Sequence, residues 1–366
     1  MCITLDKLQG TDYYITSLAI LGEFLGQFPA YDRADAPSLK PLNDLHYEEF
    51  RKALEEEPVF NPWFTPAFLE IALKGISLML KKEILEKWLE PYGNLPVGQG
   101  RQKTVGLVMA GNIPLVGFHD VMCVLAAGHN ILARTSSRDD RLIRRVAGVL
   151  SDIDPELGHR ITITDQQLRA LDAVIATGSD NSARYFEYYF RNIPHIIRKN
   201  RNGVAVLTGR ETTDELAGLG EDIFTYFGMG CRNVTKIFVP GEYDLTGLLK
   251  VFDRYADLYR HHRYGNNVDY YRTIYLMNRI PILDNGVLLL KEDRSIASPV
   301  GVVFYERYSD IDVLRKELEE RVDEIQCIVS LHPAIPDAIR PGTTQVPMPW
   351  DYADGIDTLM FLKDLH

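Results

Sequence analysis

The chain has 366 residues, of which 46% are hydrophobic and 25% are charged, and both fractions are ordinary for globular proteins. This apolar content excludes a mostly disordered chain, and the near-average glycine and proline content excludes collagen-like and low-complexity classes. The length predicts about two domains. The net charge of −11 argues against a nucleic-acid-binding protein, which more often has a basic surplus or a basic face.

The first residues, MCITLDKLQG, lack a basic start followed by an apolar run, so no signal peptide is predicted. Apolar windows such as residues 121–127 are far shorter than a membrane span. We therefore expect a soluble, cytoplasmic protein with no membrane span. The four cysteines have no CxxC spacing and no paired histidine at zinc-ligand spacing, so we expect thiols and no metal site.

The predicted elements begin with a mixed, partly loop-like N-terminal segment over residues 1–60. A helix is predicted to start at Pro66 after the N-cap Thr65, to continue through Trp88 and to end near Pro91. From residue 104 onwards, short apolar runs alternate with turns and helical stretches, which is typical of buried parallel strands and a doubly wound α/β sheet. The predicted strands of this part are 104–109, 130–134, 161–164 and 173–176, and its helices are 115–127, 141–150 and one that follows Asp180.

A second α/β unit is predicted after a boundary near residues 200–204. Its strands are 203–207, 236–240, 286–290 and 300–304, and its helices are 213–227 and 245–259. The predicted fold class is therefore α/β, with two doubly wound domains. In such sheets ligands bind beyond the carboxyl ends of the strands, and the candidate functional residues lie in the loops at those ends.

Cys231 is the sharpest candidate, because it follows the two glycines of FGMGC at a junction between a helix and a strand. Glycines let the backbone turn tightly and let a substrate approach a thiol. Core packing is the alternative, since cysteine is among the most buried residue types. Cys123 and Cys327 lie in apolar runs and fit core packing, and Cys2 is terminal.

Asn112 follows the first strand of the α/β part and precedes Ile113-Pro114. Its amide is a suitable donor to a developing oxyanion, and a turn-forming asparagine is the alternative. Gly178-Ser179 lies between a strand and a helix, where N–H groups, the helix dipole and a hydroxyl suit an anion. Simple helix capping is the alternative there.

Arg134 ends a predicted strand beside Thr135 and Ser136, a position suited to ribose or phosphate, with a solvated arginine as the alternative. The usual dinucleotide fingerprint GxGxxG is absent from the chain. Four further basic residues have two interpretations, phosphate contact or a solvated helix face: Arg138, Arg141, Arg144 and Arg145.

In this order, the segments resemble the aldehyde dehydrogenase superfamily, and most closely its acyl-CoA reductase branch, which includes the fatty acyl reductase of bacterial bioluminescence. The superfamily has a strand ending in Asn-x-Pro, a helix passing an Ala-Gly pair, a strand ending in Lys-Pro-Ser, a Thr-Gly-Ser turn and a cysteine-bearing segment. The matching residues are Asn112-Ile113-Pro114, Ala127-Gly128, Arg134-Thr135-Ser136, Gly178-Ser179 and Cys231 in FGMGCRNVTKIFVP.

The resemblance implies a Rossmann-like NAD(P)-binding domain over 61–203, a catalytic domain over 204–340, and a segment, 341–366, that returns to the cofactor domain or to an oligomer interface. It implies NADPH, with NADH as the alternative, a homo-oligomer, and an acyl-protein synthetase partner as in the bioluminescence relatives. The implied cofactor-binding residues are Arg134, Ser136, Gly178 and Ser179, and the implied catalytic residues are Cys231 and Asn112.

Two departures from the superfamily bear on the reaction. The hydrolytic dehydrogenases carry a Glu in Glu-Leu-Gly-Gly that activates water, and the matching stretch here is Ile197-Arg198-Lys199-Asn200, which has no acid. A second superfamily Glu, which holds the nicotinamide ribose, falls near Ser295 in SIASPV. Without the first Glu, a thioester on Cys231 is protected from water and suited to hydride.

The expected function is the NAD(P)H-dependent reduction of an acyl-CoA, or of an acyl-protein thioester, to an aldehyde in fatty acid metabolism. Three alternatives stay open: a hydrolytic aldehyde dehydrogenase, a non-redox Cys231-dependent acyltransferase or thioesterase, and a non-catalytic binding protein. Acid formation from aldehyde without CoA supports the first, and quenching of nicotinamide fluorescence on titration argues against the second. An unreactive Cys231 supports the third.

Overall fold

A computed structural model describes residues 10–29, 34, 36–93, 95 and 102–365. They form two compact units. The first unit contains the described residues up to Lys199 together with the segment from Met348 onward, and the second unit is Asn200–Pro347. The predicted boundaries at 203/204 and 340/341 lie close to these divisions, and the described part of the first 60 residues belongs to the first unit.

The described residues contain helices and strands as follows. The helices are α1 (Thr11–Leu25), α2 (Lys40–Leu42), α3 (Glu48–Phe60), α4 (Pro66–Met79), α5 (Lys82–Leu89), α6 (Phe118–Ala126), α7 (Arg141–Ile153), α8 (Pro155–His159), α9 (Asp180–Phe190), α10 (Thr213–Phe224), α11 (Leu245–Phe252), α12 (His262–Met277), α13 (Ile311–Glu320) and α14 (Thr358–Lys363). The strands are β1 (Thr104–Val108), β2 (Asn130–Arg134), β3 (Ile161–Ile163), β4 (Ala173–Thr177), β5 (His195–Arg198), β6 (Asn202–Val206), β7 (Val234–Pro240), β8 (Leu283–Asp284), β9 (Leu289–Glu292), β10 (Val302–Tyr308) and β11 (Ile325–Ser330).

The sheet of the first unit has five parallel strands in the order β3-β2-β1-β4-β5. This is the order of a doubly wound dinucleotide-binding sheet, in which the strand order reverses beside β1. The strands are short apolar runs because parallel strands are covered on both faces. β1 pairs with β2 through Val108 and Arg134, and with β4 through Val108 and Ala176, so these three strands end at the same edge.

The helices of the first unit bury one continuous apolar core against this sheet. α1 is a helix where the sequence predicted a partly loop-like segment, and most of its side chains are buried, including Tyr14, Leu21 and Phe24. The single helix predicted over 66–88 is divided at Leu80 and Lys81. Lys81 has extended backbone angles and is the N-cap of α5, while Leu80 is buried against Gly22 of α1.

The C-terminal segment from Met348 onward is hydrogen-bonded into the first unit. The Trp88 indole N–H donates to the Tyr352 hydroxyl at 2.8 Å, and the Tyr92 hydroxyl donates to Asp357 at 2.8 Å. Lys363 on α14 also donates to the Tyr92 carbonyl oxygen at 2.8 Å. The described residues from Met348 onward therefore belong to the unit that contains β1–β5.

The sheet of the second unit has six strands in the order β11-β6-β7-β10-β9-β8. All neighbours are parallel except β8, which pairs with β9 antiparallel at one edge. Helix α10 ends at Phe224, earlier than the predicted 227, because the following residues turn sharply. The predicted helix over 245–259 becomes α11 and then a tighter 3₁₀ helix, Asp253–Arg260. The predicted strand 286–290 is β9, at Leu289–Glu292.

Among the described residues, no helix is both long enough and apolar enough to cross a membrane.

Two glycines of the first unit provide a matched test of its helix packing. A Cβ at Gly22 would lie 2.6 Å from the Leu80 Cβ, whereas a Cβ at Gly75 of α4 would meet nothing within 4 Å. We expect Gly22→Ala to lower the free energy of unfolding by about 1–3 kcal/mol through overpacking. Gly75→Ala is expected to raise it by about 0.4–1 kcal/mol, because alanine restricts the unfolded chain. Urea denaturation of both variants measures this, and equal effects would contradict the described contact.

Candidate active site

Five of the six predicted site residues lie at the carboxyl edge of the first unit's sheet. Asn112 is in the loop after β1, Arg134 is the last residue of β2, Ser136 follows it, and Gly178-Ser179 follows β4. Parallel strands bring loops that are distant in sequence to one edge, and β1 lies between β2 and β4. These residues therefore surround the point where the strand order reverses, which is where doubly wound sheets bind ligands.

The loop after β1 is packed closely against the loop after β2. A Cβ at Gly111 would lie 2.5 Å from the Ser136 hydroxyl oxygen, so only glycine permits this approach. Asn112 itself is half-buried. Leu115 has a φ of 56°, in the left-handed region that is uncommon for a residue other than glycine. The backbone beside Asn112 is thus held in a defined and strained conformation.

The loop after β2 presents two exposed guanidinium groups. Arg134 and Arg138 are both exposed, and neither forms an ion pair in the part of the chain that the structure describes. The carboxylate of Asp140 is already bound, because it accepts hydrogen bonds from Thr135 and from Arg144, the latter at 2.8 Å. Exposed positive charge without a competing acid at the end of β2 suits a phosphate better than a ribose hydroxyl.

The other predicted basic residues on α7 are paired with acids. Arg141 is 2.7 Å from Glu56, Arg144 is 2.8 Å from Asp140, and Arg145 pairs with Glu49. These pairs favour the interpretation of this helix as a charged structural surface. Arg138 differs from these three arginines, because it is exposed and forms no ion pair with a described acid.

Ser179 is the N-cap of α9, and its hydroxyl oxygen accepts a hydrogen bond from the Ser182 N–H at 3.4 Å. The capping interpretation of Gly178-Ser179 is therefore confirmed. A Cβ at Gly178 would lie 2.9 Å from the Ser182 Cβ and 3.1 Å from the Phe186 ring. Glycine thus lets the chain enter the helix closely, and Ser179 is exposed at the helix N-terminus beside the strand reversal.

These groups suit a ligand that carries phosphate and sugar oxygens, as a dinucleotide does. The helix N-terminus of α9 and the exposed Ser179 suit a pyrophosphate, and the exposed arginines of the β2 loop suit a further phosphate. The donor set at this edge is made of hydroxyls, backbone N–H groups and guanidinium groups. Such donors recognise anionic and sugar oxygens.

Cys231 lies in the second unit, in the turn that precedes β7, and it is half-buried. The segment before it is strained, because Tyr226 and Phe227 have φ values of 54° and 55° and Gly228 has a φ of 75°. Three successive left-handed residues reverse the chain after α10. Strain of this kind persists where the surroundings enforce it, and it is frequent at functional sites.

Asn233 enforces the conformation of the Cys231 loop. Its side chain is fully buried and accepts a hydrogen bond from the Gly230 N–H at 2.7 Å. Its amide also donates to the carbonyl oxygens of Asp222 and Thr225, each at 2.9 Å. The Asn233 side chain therefore connects the end of α10, the start of the strained turn and Gly230, the residue before Cys231.

Asp222 of α10 holds a second segment near this loop. Its buried carboxylate accepts hydrogen bonds from the Gly342 N–H at 2.7 Å and from the Thr344 hydroxyl at 2.8 Å. Arg232, next to Cys231, donates to the Thr344 carbonyl oxygen at 2.8 Å. Burial raises the pKa of Asp222, and the hydrogen bonds from Gly342 and Thr344 oppose that rise.

The remaining described cysteines are core residues, as predicted. Cys123 is fully buried on α6, and Cys327 is buried on β11. Burial also raises the pKa of the Cys123 thiol, which makes it a poor nucleophile. Cys2 lies outside the described residues. Cys231 is thus the described cysteine with an exposed fraction suited to chemistry.

Arg198 ends β5, in the stretch where the resemblance puts the hydrolytic Glu. Its guanidinium is buried and lies 2.7 Å from the Asp120 carboxylate on α6. It also donates to the Thr358 hydroxyl at 3.0 Å. This strand end therefore presents a neutralised ion pair rather than a carboxylate that could activate water.

Sequence reasoning missed Asp139, Asn233 and Asp222, which hold the two candidate loops. Asp139 and Asn233 stand next to turns and Asp222 lies in the last turn of α10, and small polar residues at such positions usually face solvent. Their burial depends on contacts with distant parts of the chain, and the single sequence gives no signal for it. Asn233 is the one that stands close in sequence to a candidate residue, two positions after Cys231.

Comparison with solved structures identifies the fold. The chain is similar to aldehyde dehydrogenase 21 from Physcomitrella patens in complex with the reaction product succinate, with 14% identity, coverage of 88% of this chain and 78% of that one, and a TM-score of 0.58. It is similar to a betaine aldehyde dehydrogenase from Staphylococcus aureus in complex with NAD+, with 12% identity, coverage of 90% and 72%, and a TM-score of 0.60. It is also similar to an aldehyde dehydrogenase from Bacillus cereus in complex with NAD+, with 12% identity, coverage of 87% of this chain and 76% of that one, and a TM-score of 0.55.

No protein-family model and no curated protein sequence matches the chain. At such low identities, the likeness to solved structures establishes the fold and nothing finer. The chain therefore has the two-domain α/β architecture of the aldehyde dehydrogenases, as the sequence predicted. The acyl-CoA reductase branch stays a prediction.

The role of Asn233 can be tested by Asn233→Ala. The substitution leaves the buried Gly230 N–H and two carbonyl oxygens without partners, so we expect a loss of about 1–3 kcal/mol of unfolding free energy. The control is Asn278→Ala, at an exposed residue whose amide donates within its own helix end. That change is expected to stay within about 0.5 kcal/mol. Guanidinium denaturation measures both, and equal stabilities would contradict the role of Asn233.

Proposed function

We propose that the protein reduces an acyl thioester, acyl-CoA or an acyl group on a carrier protein, to an aldehyde through a covalent thioester on Cys231. The observation that carries this proposal is the end of β5, where Ile197, the residue that matches the Glu of Glu-Leu-Gly-Gly, is apolar and the neighbouring Arg198 is held in a buried ion pair with Asp120. The half-buried thiol that follows a strained turn supplies the nucleophile. The homo-oligomer, the synthetase partner and the cytoplasmic location stay predictions.

In the proposed reaction, the Cys231 thiolate attacks the thioester carbonyl carbon of the substrate. The Asn112 amide and the Cys231 backbone N–H donate to the oxyanion of the tetrahedral adduct, and such donors each contribute roughly 3–4 kcal/mol to barrier lowering. The carbon–sulfur bond to the carrier then breaks, and the carrier leaves as a thiolate that takes up a proton. The acyl group remains on Cys231.

The Cys231 thioester is an electrophile that the chain has to protect from water. Because Ile197-Arg198-Lys199-Asn200 supplies no base, attack by water is slow and the acyl group persists. Arg134, Ser136, Gly178 and Ser179 would hold the nicotinamide cofactor, which when bound supplies a hydride. The reduced adduct on Cys231 then collapses: its carbon–sulfur bond breaks, an aldehyde forms and the thiolate returns.

We expect Cys231→Ala to abolish the acyl-enzyme. Incubation of the wild-type protein with acyl-CoAs of graded chain length, without cofactor, should add the mass of one acyl group, because no hydride is present to remove it. Intact-protein mass spectrometry detects the adduct, and NADPH fluorescence titration should still show binding by the variant. Cys327→Ala is the matched control, and it should retain acylation. Acylation or reduction by Cys231→Ala would show that the nucleophile is another residue.

The cofactor is expected to be NADPH, because Arg134 and Arg138 are exposed and unpaired by any described acid. Charge-assisted hydrogen bonds contribute about 1.5–3 kcal/mol, which corresponds to roughly 10-fold or more in affinity. Arg134→Ala with Arg138→Ala should weaken NADPH binding by about that factor and leave NADH binding nearly unchanged. Arg51→Ala is the control, since its guanidinium is bound by Glu48 and Glu55. Parallel losses for both cofactors would argue against a 2′-phosphate site.

A further inference from the structure

We propose that Asp139 is the positioning residue of Asn112: its carboxylate binds the backbone of the loop after β1 and fixes where the Asn112 amide points. This inference rests on the proposed function only for the role of Asn112. The loop is defined here as residues 109–117. The proposal assigns to Asp139 no contact with substrate or cofactor, and it concerns contacts within the first unit.

The carboxylate reaches across from the loop after β2 to the loop after β1. The Leu115 N–H donates to Asp139 Oδ2 at 2.7 Å, and the Val116 N–H also acts on this carboxyl group. Asp139 is 4% exposed, so water does not compete for these bonds. A buried, charged acceptor forms stronger hydrogen bonds than a neutral one.

The bound backbone is the strained part of the loop. Leu115 has a φ of 56°, and a residue with a Cβ in this region costs about 1–2 kcal/mol relative to right-handed backbone. A hydrogen bond from its own N–H to Asp139 offsets that cost. Without the carboxylate, the loop would relax, and the amide of Asn112, three residues earlier, would lose its fixed direction.

The loop after β2 is itself anchored, so it can act as a template. The Asn61 amide donates to the Arg138 carbonyl oxygen at 3.1 Å, and Asn61 is buried between α3 and α4. On the other side, Gly111 packs against Ser136. The loop that carries Asn112 is therefore fixed near both ends, by packing at Gly111 and by Asp139 at Leu115.

The charge of Asp139 depends on pH near neutrality. Burial raises its pKa to about 7, the nearby Glu57 and Asp140 act in the same direction, and the N–H groups of Leu115 and Val116 oppose the rise. Arg141 of α7 is the cation of this cluster and lies 3.9 Å from Glu57. Glu57 is also buried, and burial raises its pKa.

The raised pKa of Asp139 determines how its carboxyl group changes the stability of the fold with pH. A pKa raised in the folded chain means that this group favours folding most at low pH, and that the contribution is lost as pH rises through about 7. The ionised form therefore costs global stability while it strengthens the bonds to the loop. A substitution that removes the charge should loosen the loop without destabilising the fold above pH 7.

Hydrogen exchange of the loop tests the proposal without any reaction. In Asp139→Asn at pH 8, we expect peptides covering residues 109–117 to exchange about 10-fold faster than in the wild type, after correction for intrinsic rates. Wild-type protection of the same peptides should fall between pH 8 and pH 6, and the variant should lose this dependence. Asp140→Asn, the neighbouring carboxylate bound to Arg144 and Thr135, is the matched control and should leave the loop unchanged.

Steady-state kinetics distinguish a positioning role of Asp139 from a general loss of folded, active protein. Asp139→Asn should lower kcat for thioester reduction about 10-fold at pH 8, leave KM for the thioester within about twofold, and flatten the pH profile near 7. In an Asn112→Ala background the same substitution should have no further effect on kcat, because it acts through Asn112.

Unchanged loop exchange in Asp139→Asn, or effects on kcat that multiply with Asn112→Ala, would overturn the proposal. The urea midpoint of Asp139→Asn at pH 8 should equal or exceed that of the wild type, and a lower midpoint would also count against it. If the wild type reduces no acyl thioester, the proposed function fails, while hydrogen exchange still decides whether Asp139 holds the loop.

Discussion

Each candidate catalytic residue lies beside a strained turn that one buried polar side chain holds in place. Near Asn112, the left-handed Leu115 is bound by Asp139, and before Cys231 the left-handed Tyr226 and Phe227 are followed by a loop bound by Asn233. Left-handed backbone outside glycine is costly and persists only where the surroundings enforce it. The helices and sheets around these turns supply that enforcement, because they bury the polar side chains and keep water from their bonds. Both turns therefore resemble preorganised sites more than ordinary connections.

The strands were predictable because a buried parallel strand has a simple pattern, a short apolar run ended by turn residues. Residues 130–134 match β2 in full, and the run at 104–109 differs from β1 by one residue. Helix α1 was not predicted, since most of its length is buried and the apolar residues leave no polar face to reveal a helical period. The break at Leu80 was also invisible, because it depends on the approach of Gly22 from a distant helix.

The residues of the candidate site that stand in local sequence motifs could be predicted, whereas the buried residues that hold the loops in place could not. Cys231 and Asn112 stand in recognisable local patterns of glycine, proline and strand ends. Asp139 in TSSRDD has the local appearance of a solvated turn residue, and its burial arises from Leu115, which lies 24 positions earlier. Asp222 likewise acquires its role from Thr344, which lies 122 positions later. Contacts at such separations are set by topology, which a single sequence does not display.

The ion pair of Arg198 and Asp120 stabilises the end of β5 in the first unit. Both groups are buried, so removing either leaves an uncompensated charge at a cost of about 3–5 kcal/mol. The residue that matches the Glu of Glu-Leu-Gly-Gly is the preceding one, Ile197, which is half-buried and apolar. Successive side chains of a strand point to opposite faces, so the ion pair holds Arg198 on one face of β5 and Ile197 lies on the other. Neither residue supplies a carboxylate at this strand end, because Ile197 is apolar and the guanidinium of Arg198 is already bound by Asp120 and Thr358.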